Sequence, residues 1–169
     1  MDKSDNINEK DMDSKRIGVK LAPYNPIGLE VVDIVIRLLD LTDNDNLYDL
    51  GCGDGRLLIT ACKVNKFIKC IGIEYDEDIY NNAIKEVQSN DLKEQITIVH
   101  DNVLNIDFKN ATKLFIYLVP EGIKQLYEKL IDALDRGVTI VTYVFSIPVI
   151  EPVEIHLYKA STKIYLYKK

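Results

Sequence analysis

The chain has 169 residues, 47% of them apolar, with 21 lysines and arginines against 27 aspartates and glutamates, a net charge of −6. That is the composition of one soluble domain large enough to bury a core, and it excludes a basic arm for nucleic acid. Cys52, Cys62 and Cys70 form no CxxC pair, so reduced thiols, a cytoplasmic protein and no metal site are expected. No signal-peptide core opens the chain, and its best apolar run, VTIVTYVFSIPVI, is too short to span a membrane.

In chain order, residues 1–15 read as a disordered polar tail and 16–169 as a single domain. Prolines on both sides of Tyr24, in IGVKLAPYNPIG, rule out continuous helix there. A helix is expected from Pro26, with Asn25 as its N-cap and Leu29, Val32, Ile36 and Leu39 on one face. Leu47–Leu50 reads as a short strand, followed by a glycine loop and a helix over 54–64. FIKCIGIE, residues 67–74, reads as a second strand, and Asp76 as the cap of a helix lined by Ile79, Ala83, Ile84 and Val87.

Residues 96–100 and 113–119 give a third and a fourth strand. Ile123, Leu126, Tyr127, Leu130, Ile131 and Leu134 give the clearest helical period, closed at Gly137. Residues 138–145 read as a buried fifth strand, and PVEIHLYKASTKIYLYKK as a hairpin. Strands alternating with helices imply an α/β, Rossmann-like doubly wound sheet of about seven strands. It is mostly parallel, with an antiparallel C-terminal hairpin at an edge and one late strand running backwards there. Ligands of such sheets bind at the carboxyl ends of the strands, where the glycine loop lies.

In LYDLGCGDGRLL the glycines are Gly51, Gly53 and Gly55, spaced G-x-G-x-G. A dinucleotide fingerprint needs G-x-G-x-x-G, and a phosphate loop needs a following Lys-Ser/Thr; neither is present. Asp49 and Asp54 repel an anionic pyrophosphate but suit a ligand carrying an ammonium and a sulfonium. Glu74, at the end of the second strand, suits the two hydroxyls of a ribose. Asp101-Asn102, after the third strand, suits an adenine amino group, with Asn102 favoured by its spacing to Ile106 and Phe108.

DLGCGDGR, GIE and HDN in this order resemble the class I, seven-strand S-adenosylmethionine-dependent methyltransferases. PYNP, YDLGCGDGRLLITA, NATKLFIYLVPEGIKQLYEKL, TYVFSIPVIEP and IYLY are further similar to small archaeal protein lysine methyltransferases. They are similar too to the mitochondrial enzymes that modify ATP synthase subunit c and the adenine nucleotide translocase. The resemblance runs from about Leu21 to Tyr167. Asn25 and Ile27 stand where that family usually has Val and Thr, and Ile150-Glu151-Pro152 lacks its Trp.

The resemblance implies S-adenosylmethionine as cofactor and a protein substrate bearing a target lysine, with no nucleic-acid partner and a monomeric enzyme; a small-molecule or nucleic-acid acceptor is the alternative. It places Asp49 at the methionine ammonium, Gly51, Cys52 and Gly53 along the methionine arm, Glu74 at the ribose, and Asp101 and Asn102 at the adenine. Tyr24 becomes a lid over donor and acceptor, and Tyr117 the residue beside which the acceptor nitrogen meets the methyl. Tyr143 and Phe145 end the fifth strand near the same channel, Phe145 as core. His100 and His156 read as structural. With no His or Asp beside Tyr117, transfer is expected to rely on alignment and a dry channel rather than on a general base.

Overall fold

Apolar residues on both sides of the central strands force a sheet covered on two faces. The computed structural model describes residues 25–169. Its strands are β1 Asn46–Leu50, β2 Lys69–Glu74, β3 Ile96–His100, β4 Lys113–Ile116, β5 Thr139–Tyr143, β6 Glu154–Tyr158 and β7 Thr162–Tyr167. They form one sheet in the order β3-β2-β1-β4-β5-β7-β6. β1 to β5 pair in parallel, while β7 runs antiparallel to β5 and β6. The terminal hairpin takes the edge as expected, but the reversed strand lies one place in and β6 is outermost.

The helices are α1 Leu29–Leu39, α2 Arg56–Val64, α3 Glu77–Ser89, α4 Pro120–Gln125 and α5 Tyr127–Asp135. Leu47, Phe115, Val141 and Ile164 point from the sheet into one cluster with α1, α2 and α3. Tyr48, Leu50, Leu114, Ile116 and Ile140 point the other way, into a cluster with α4 and α5. Each fully buried Leu or Ile contributes about 1.5–3 kcal/mol, so these two layers dominate stability.

Element ends depart from expectation for local reasons. α1 begins at Leu29 with Gly28 as its N-cap, not at Pro26 behind Asn25. The carbonyl of Ile27 is taken by Arg56 Nη1 at 2.9 Å, which keeps that residue out of the helix. Leu29 is 66% exposed, and Val31, Val32, Val35 and Leu39 form the buried face instead. β4 stops at Ile116, because Val119 is extended and Pro120 starts α4. The expected single helix beyond it is divided at Leu126 into α4 and α5. Asp76 caps α3 as expected, accepting from the backbone N–H of Asp78 and Ile79. Gly137, at φ +88, closes α5, with the N–H groups of Gly137 and Val138 bonded to the carbonyls of Leu134 and Ala133.

The three cysteines are free and buried, Cys62 and Cys70 with their sulfurs 3.6 Å apart. No helix among the described residues is long and apolar enough to cross a membrane. Residues 1–15 and Tyr24 lie outside the described residues.

Gly72, in the middle of β2, is where the sheet meets the glycine loop. A Cβ there would stand 2.6 Å from Cys52 Sγ, 2.8 Å from Leu58 Cδ1 and 2.9 Å from Cys52 Cβ. Gly72→Ala is therefore expected to destabilise the protein by about 1–3 kcal/mol, the usual cost of overpacking. Denaturant unfolding measures it, and an unchanged midpoint would mean that Cys52 does not pack on β2.

Candidate active site

From β1 the chain moves outward through β2 to β3, then returns to β4 on the other flank of β1. That reversal opens a crevice beyond the carboxyl ends of β1 and β4. The loop after β1 reaches across it. Gly51 has φ +90, and a Cβ on it would lie 3.3 Å from Leu118 Cδ2 in the loop after β4. Glycine is required there both by conformation and by space. The N–H groups of Gly51 and Cys52 both donate to Ile73 O at 2.9 Å, and Gly55 N–H donates to Cys52 O at 3.0 Å.

The fourth contact of this loop reaches a carboxylate. Gly53 N–H donates to Glu74 Oε2 at 3.0 Å, and Asp76 N–H donates to Oε1 at 2.8 Å. Glu74 thus sits at the crevice as expected and also holds two loops in place. Sequence spacing gives no sign of that second role, since it joins a side chain to a backbone 21 residues away.

Asp49 occupies a β1 position whose neighbours on both sides are apolar and buried. It is 3% exposed, and its Oδ1 is buried with no hydrogen-bond partner among the described residues. Burial, then the charges of Glu74 and Asp54, hold its carboxyl well above the usual carboxylate range. Asp54, expected with Asp49 to suit a cationic ligand, has a cationic partner already. Arg56 forks onto it, Nε to Oδ1 at 3.0 Å and Nη2 to Oδ2 at 2.6 Å. Burial would raise Asp54, but those bonds outweigh it and its carboxyl is lowered. Through Ile27 O the same guanidinium ties the glycine loop to the segment before α1.

Cys52 belongs to the loop only through its backbone. Its thiol lies under β2, buried, where burial and then Asp49 push it up and keep it protonated. At the end of β3, Asn102 Oδ1 accepts from Leu104 N–H at 2.9 Å and caps a short 3-10 turn. Asp101 Oδ1 accepts from Asn102 N–H and Asn105 Nδ2. The side-chain oxygen of Asn102 is thus engaged in a local turn, and the carboxylate of Asp101 is the anionic group at this strand end. A side-chain oxygen of each is engaged in this local turn, and the geometry does not choose between Asp101 and Asn102.

On the other flank, Tyr117 follows β4 and Tyr143 ends β5. Their rings meet edge to face, with centroids 4.9 Å apart at 65°. Burial, then Tyr117 and Tyr158, raise the Tyr143 phenol above its ordinary value. Phe145 is half-buried against the α4–α5 cluster, as read from the sequence. His100 is remote: its Nε2 lies 2.9 Å from Tyr75 O, its ring stacks on Tyr80, and β2 and β1 separate it from β4.

These groups fit S-adenosylmethionine. A buried carboxylate without a partner is answered by an ammonium or sulfonium, whereas a pyrophosphate would meet three acids. Space beside Gly55 is open, with nothing within 4 Å of where its Cβ would stand, and Glu74 and Asp101 stand at successive strand ends, at the positions an adenosine spans in open α/β sheets.

Comparison with known proteins agrees. The family model described as the ANTKMT methyltransferase domain matches residues 49–154. A protein-lysine N-methyltransferase of Saccharolobus islandicus (strain REY15A) is 31% identical over 133 residues, 79% of this chain and 83% of its own. An rRNA adenine N-6-methyltransferase of Escherichia coli is 28% identical over 84 residues, half of this chain and 32% of that one. Among solved structures, an RNA methyltransferase from Salinibacter ruber in complex with S-adenosyl-L-homocysteine superposes with a TM-score of 0.79. It is 27% identical, covering 85% of this chain and 92% of that one.

Two measurements test the donor side. Glu74→Ala is expected to weaken S-adenosylmethionine binding by more than about tenfold in isothermal titration, since each charge-assisted bond contributes about 1.5–3 kcal/mol. Unchanged affinity in a folded variant would misplace the ribose. The second test concerns Asp49. A carboxyl raised in the folded state holds a proton that the unfolded chain has lost, so its effect on stability worsens as pH climbs from the ordinary carboxylate range through the raised value. A bound cation favours the ionised form, so binding in that window should release roughly one proton. Titration in buffers of different ionisation enthalpy reads the release, and Asp49→Asn should abolish it. No release from the wild type would remove Asp49 from the cation's contacts.

Proposed function

Because the chain belongs to the ANTKMT methyltransferase domain family and is an S-adenosylmethionine-dependent methyltransferase, we propose that its acceptor is the amine of a lysine in a protein substrate. The observation carrying this reading is the edge-to-face pair of Tyr117 and Tyr143 on the α1 side of the crevice, beside the donor loop. Two phenol rings in contact make an aromatic wall that suits an extended alkyl-amine laid against it and its cation–π contacts. The relative from Saccharolobus islandicus, a protein-lysine N-methyltransferase, supports the same reading.

The RNA reading rests on the relatives from Escherichia coli and Salinibacter ruber. Two features oppose it. Enzymes that methylate the amino group of adenine carry [DNS]-P-P-[YF] at the end of the fourth strand to hold a flipped base, and here that place reads YLVPEG. The loops at the carboxyl ends of β1, β2 and β3 and the first turn of α3 also carry Asp54, Asp76, Glu77, Asp78 and Asp101, which repel a phosphate backbone.

In the proposed site Asp49 receives the methionine ammonium, Gly51 and Gly53 leave room for the methionine arm, Glu74 takes the ribose hydroxyls and Asp101 the adenine amino group. Tyr24 belongs to the proposed lid. Bound S-adenosylmethionine supplies an electrophilic methyl on a sulfonium. The chain supplies alignment of the amine with that methyl, and a desolvated aromatic wall that lowers the ammonium's stability until its proton leaves to solvent.

Incubation of cell extract with methyl-tritiated S-adenosylmethionine, followed by separate counting of protein and RNA, tests the acceptor. Label in protein that appears as methyl-lysine after acid hydrolysis is expected, and label confined to RNA would refute the reading. With no enzymatic base, kcat/KM should rise steadily with pH toward the lysine value near 10.4. His100→Ala should leave that profile unchanged; loss of an inflection near 6.5 would identify a base.

A further inference from the structure

Tyr143 is followed by backbone that a valine rarely adopts. Val144 has φ +71, and Phe145 N–H donates to Tyr143 O at 2.9 Å across it, which makes a γ-turn of the uncommon hand. A β-branched residue keeps such a conformation only where its surroundings over-determine it. Here they do so through buried hydroxyls. Thr142, fully buried, donates its hydroxyl to Phe145 O at 2.7 Å. Tyr167, 1% exposed, accepts from Ile147 N–H at 2.9 Å through its buried hydroxyl. Val144 N–H in turn donates to Lys163 O at 2.9 Å, on β7.

The arrangement is specific in what it spans. Thr142 and Tyr167 face the α4–α5 side of the sheet, whereas Tyr143, between Thr142 and the turn, faces Tyr117 on the α1 side. Neither hydroxyl touches the crevice. Their bonds fix where β5 ends, and the last side chain of β5 is half of the proposed aromatic wall. A strand that continued straight past Tyr143 would leave Phe145 N–H and Ile147 N–H without these acceptors.

We propose that the buried hydroxyl pair Thr142 and Tyr167, acting through the turn at Val144, positions Tyr143 against Tyr117 and so sets the wall along which the methyl acceptor reaches the donor. Thr142, Val144 and Tyr167 are positioning residues. This rests on the placement of the acceptor against the Tyr117–Tyr143 pair, and goes beyond it by assigning the control of that wall to groups on the opposite face.

The test uses the full chain with Tyr167→Phe, Thr142→Val and Thr142→Ser. In protein labelled with ring-13C tyrosine, the Tyr143 signal is assigned by its loss in Tyr143→Phe. That signal is expected to move in Tyr167→Phe and Thr142→Val and to return in Thr142→Ser, where the hydroxyl is restored. Transfer from labelled S-adenosylmethionine is then measured on whichever extract fraction the wild type labels. The first two variants should lose about tenfold in kcat/KM for the acceptor, while cofactor affinity stays within about twofold and Thr142→Ser recovers. A Tyr143 signal that stays put, or a loss of activity matched by loss of cofactor affinity, overturns the proposal. Label in RNA with the signal and the rate both responding would overturn the lysine reading and leave the positioning intact.

Discussion

A carboxylate taken out of water without a counter-charge sets the terms for the rest of this site. Asp49 sits in an interior strand of the sheet, with apolar residues before and after it, and one of its oxygens has no partner among the described residues. The desolvation penalty for an ion so placed is on the order of several kcal/mol. Neighbouring groups do not relieve it: Glu74 adds repulsion, and the nearby arginine is committed to Asp54. The folded chain therefore keeps this carboxyl protonated, and a cationic ligand at the donor loop would favour its ionised form.

Around that carboxyl the two halves of the crevice are built differently. The donor half is held by backbone: N–H groups of the glycine loop close onto Ile73 O and Glu74, and Glu74 reaches on to Asp76. Little of that geometry depends on bulky side chains. The half proposed for the acceptor is held by rings and hydroxyls on β5, β7 and the loop after β4, where position follows from packing. Arg56 is the one described side chain that reaches out of the donor loop to the segment before α1.

Legibility in the sequence divides along the same line. Strand alternation, the glycine spacing and the place of Glu74 at a strand end could be read because each depends on residue type at a fixed distance along the chain. β3 spans the residues expected of it, and Asp76 caps the helix it precedes. What could not be read depends on a partner distant in sequence. The start of α1 is decided by a guanidinium 29 residues ahead, which holds the carbonyl of Ile27 outside the helix. Cys52 stands among the crevice residues in sequence, yet its thiol turns into the space left by Gly72. Asn102 and Asp101 compete for one role on equal chemistry, and the local turn engages both. Tyr167 and Thr142 read as ordinary strand residues, because nothing in period or spacing tells which buried hydroxyl faces which loop.

The placement of β7 inside the sheet bears on how the molecule assembles. β6 pairs only with β7, and β7 supplies the ladder that joins it to β5. During synthesis β6 leaves the ribosome before the strand it must pair with, so it has no place on the growing sheet until residues 162–167 follow. The five parallel strands and their helices can collapse meanwhile, with the free side of β5 open to the wrong strand. Closing that side is the last long-range event available to the chain, and the wall of the crevice formed by the end of β5 takes its final shape only then.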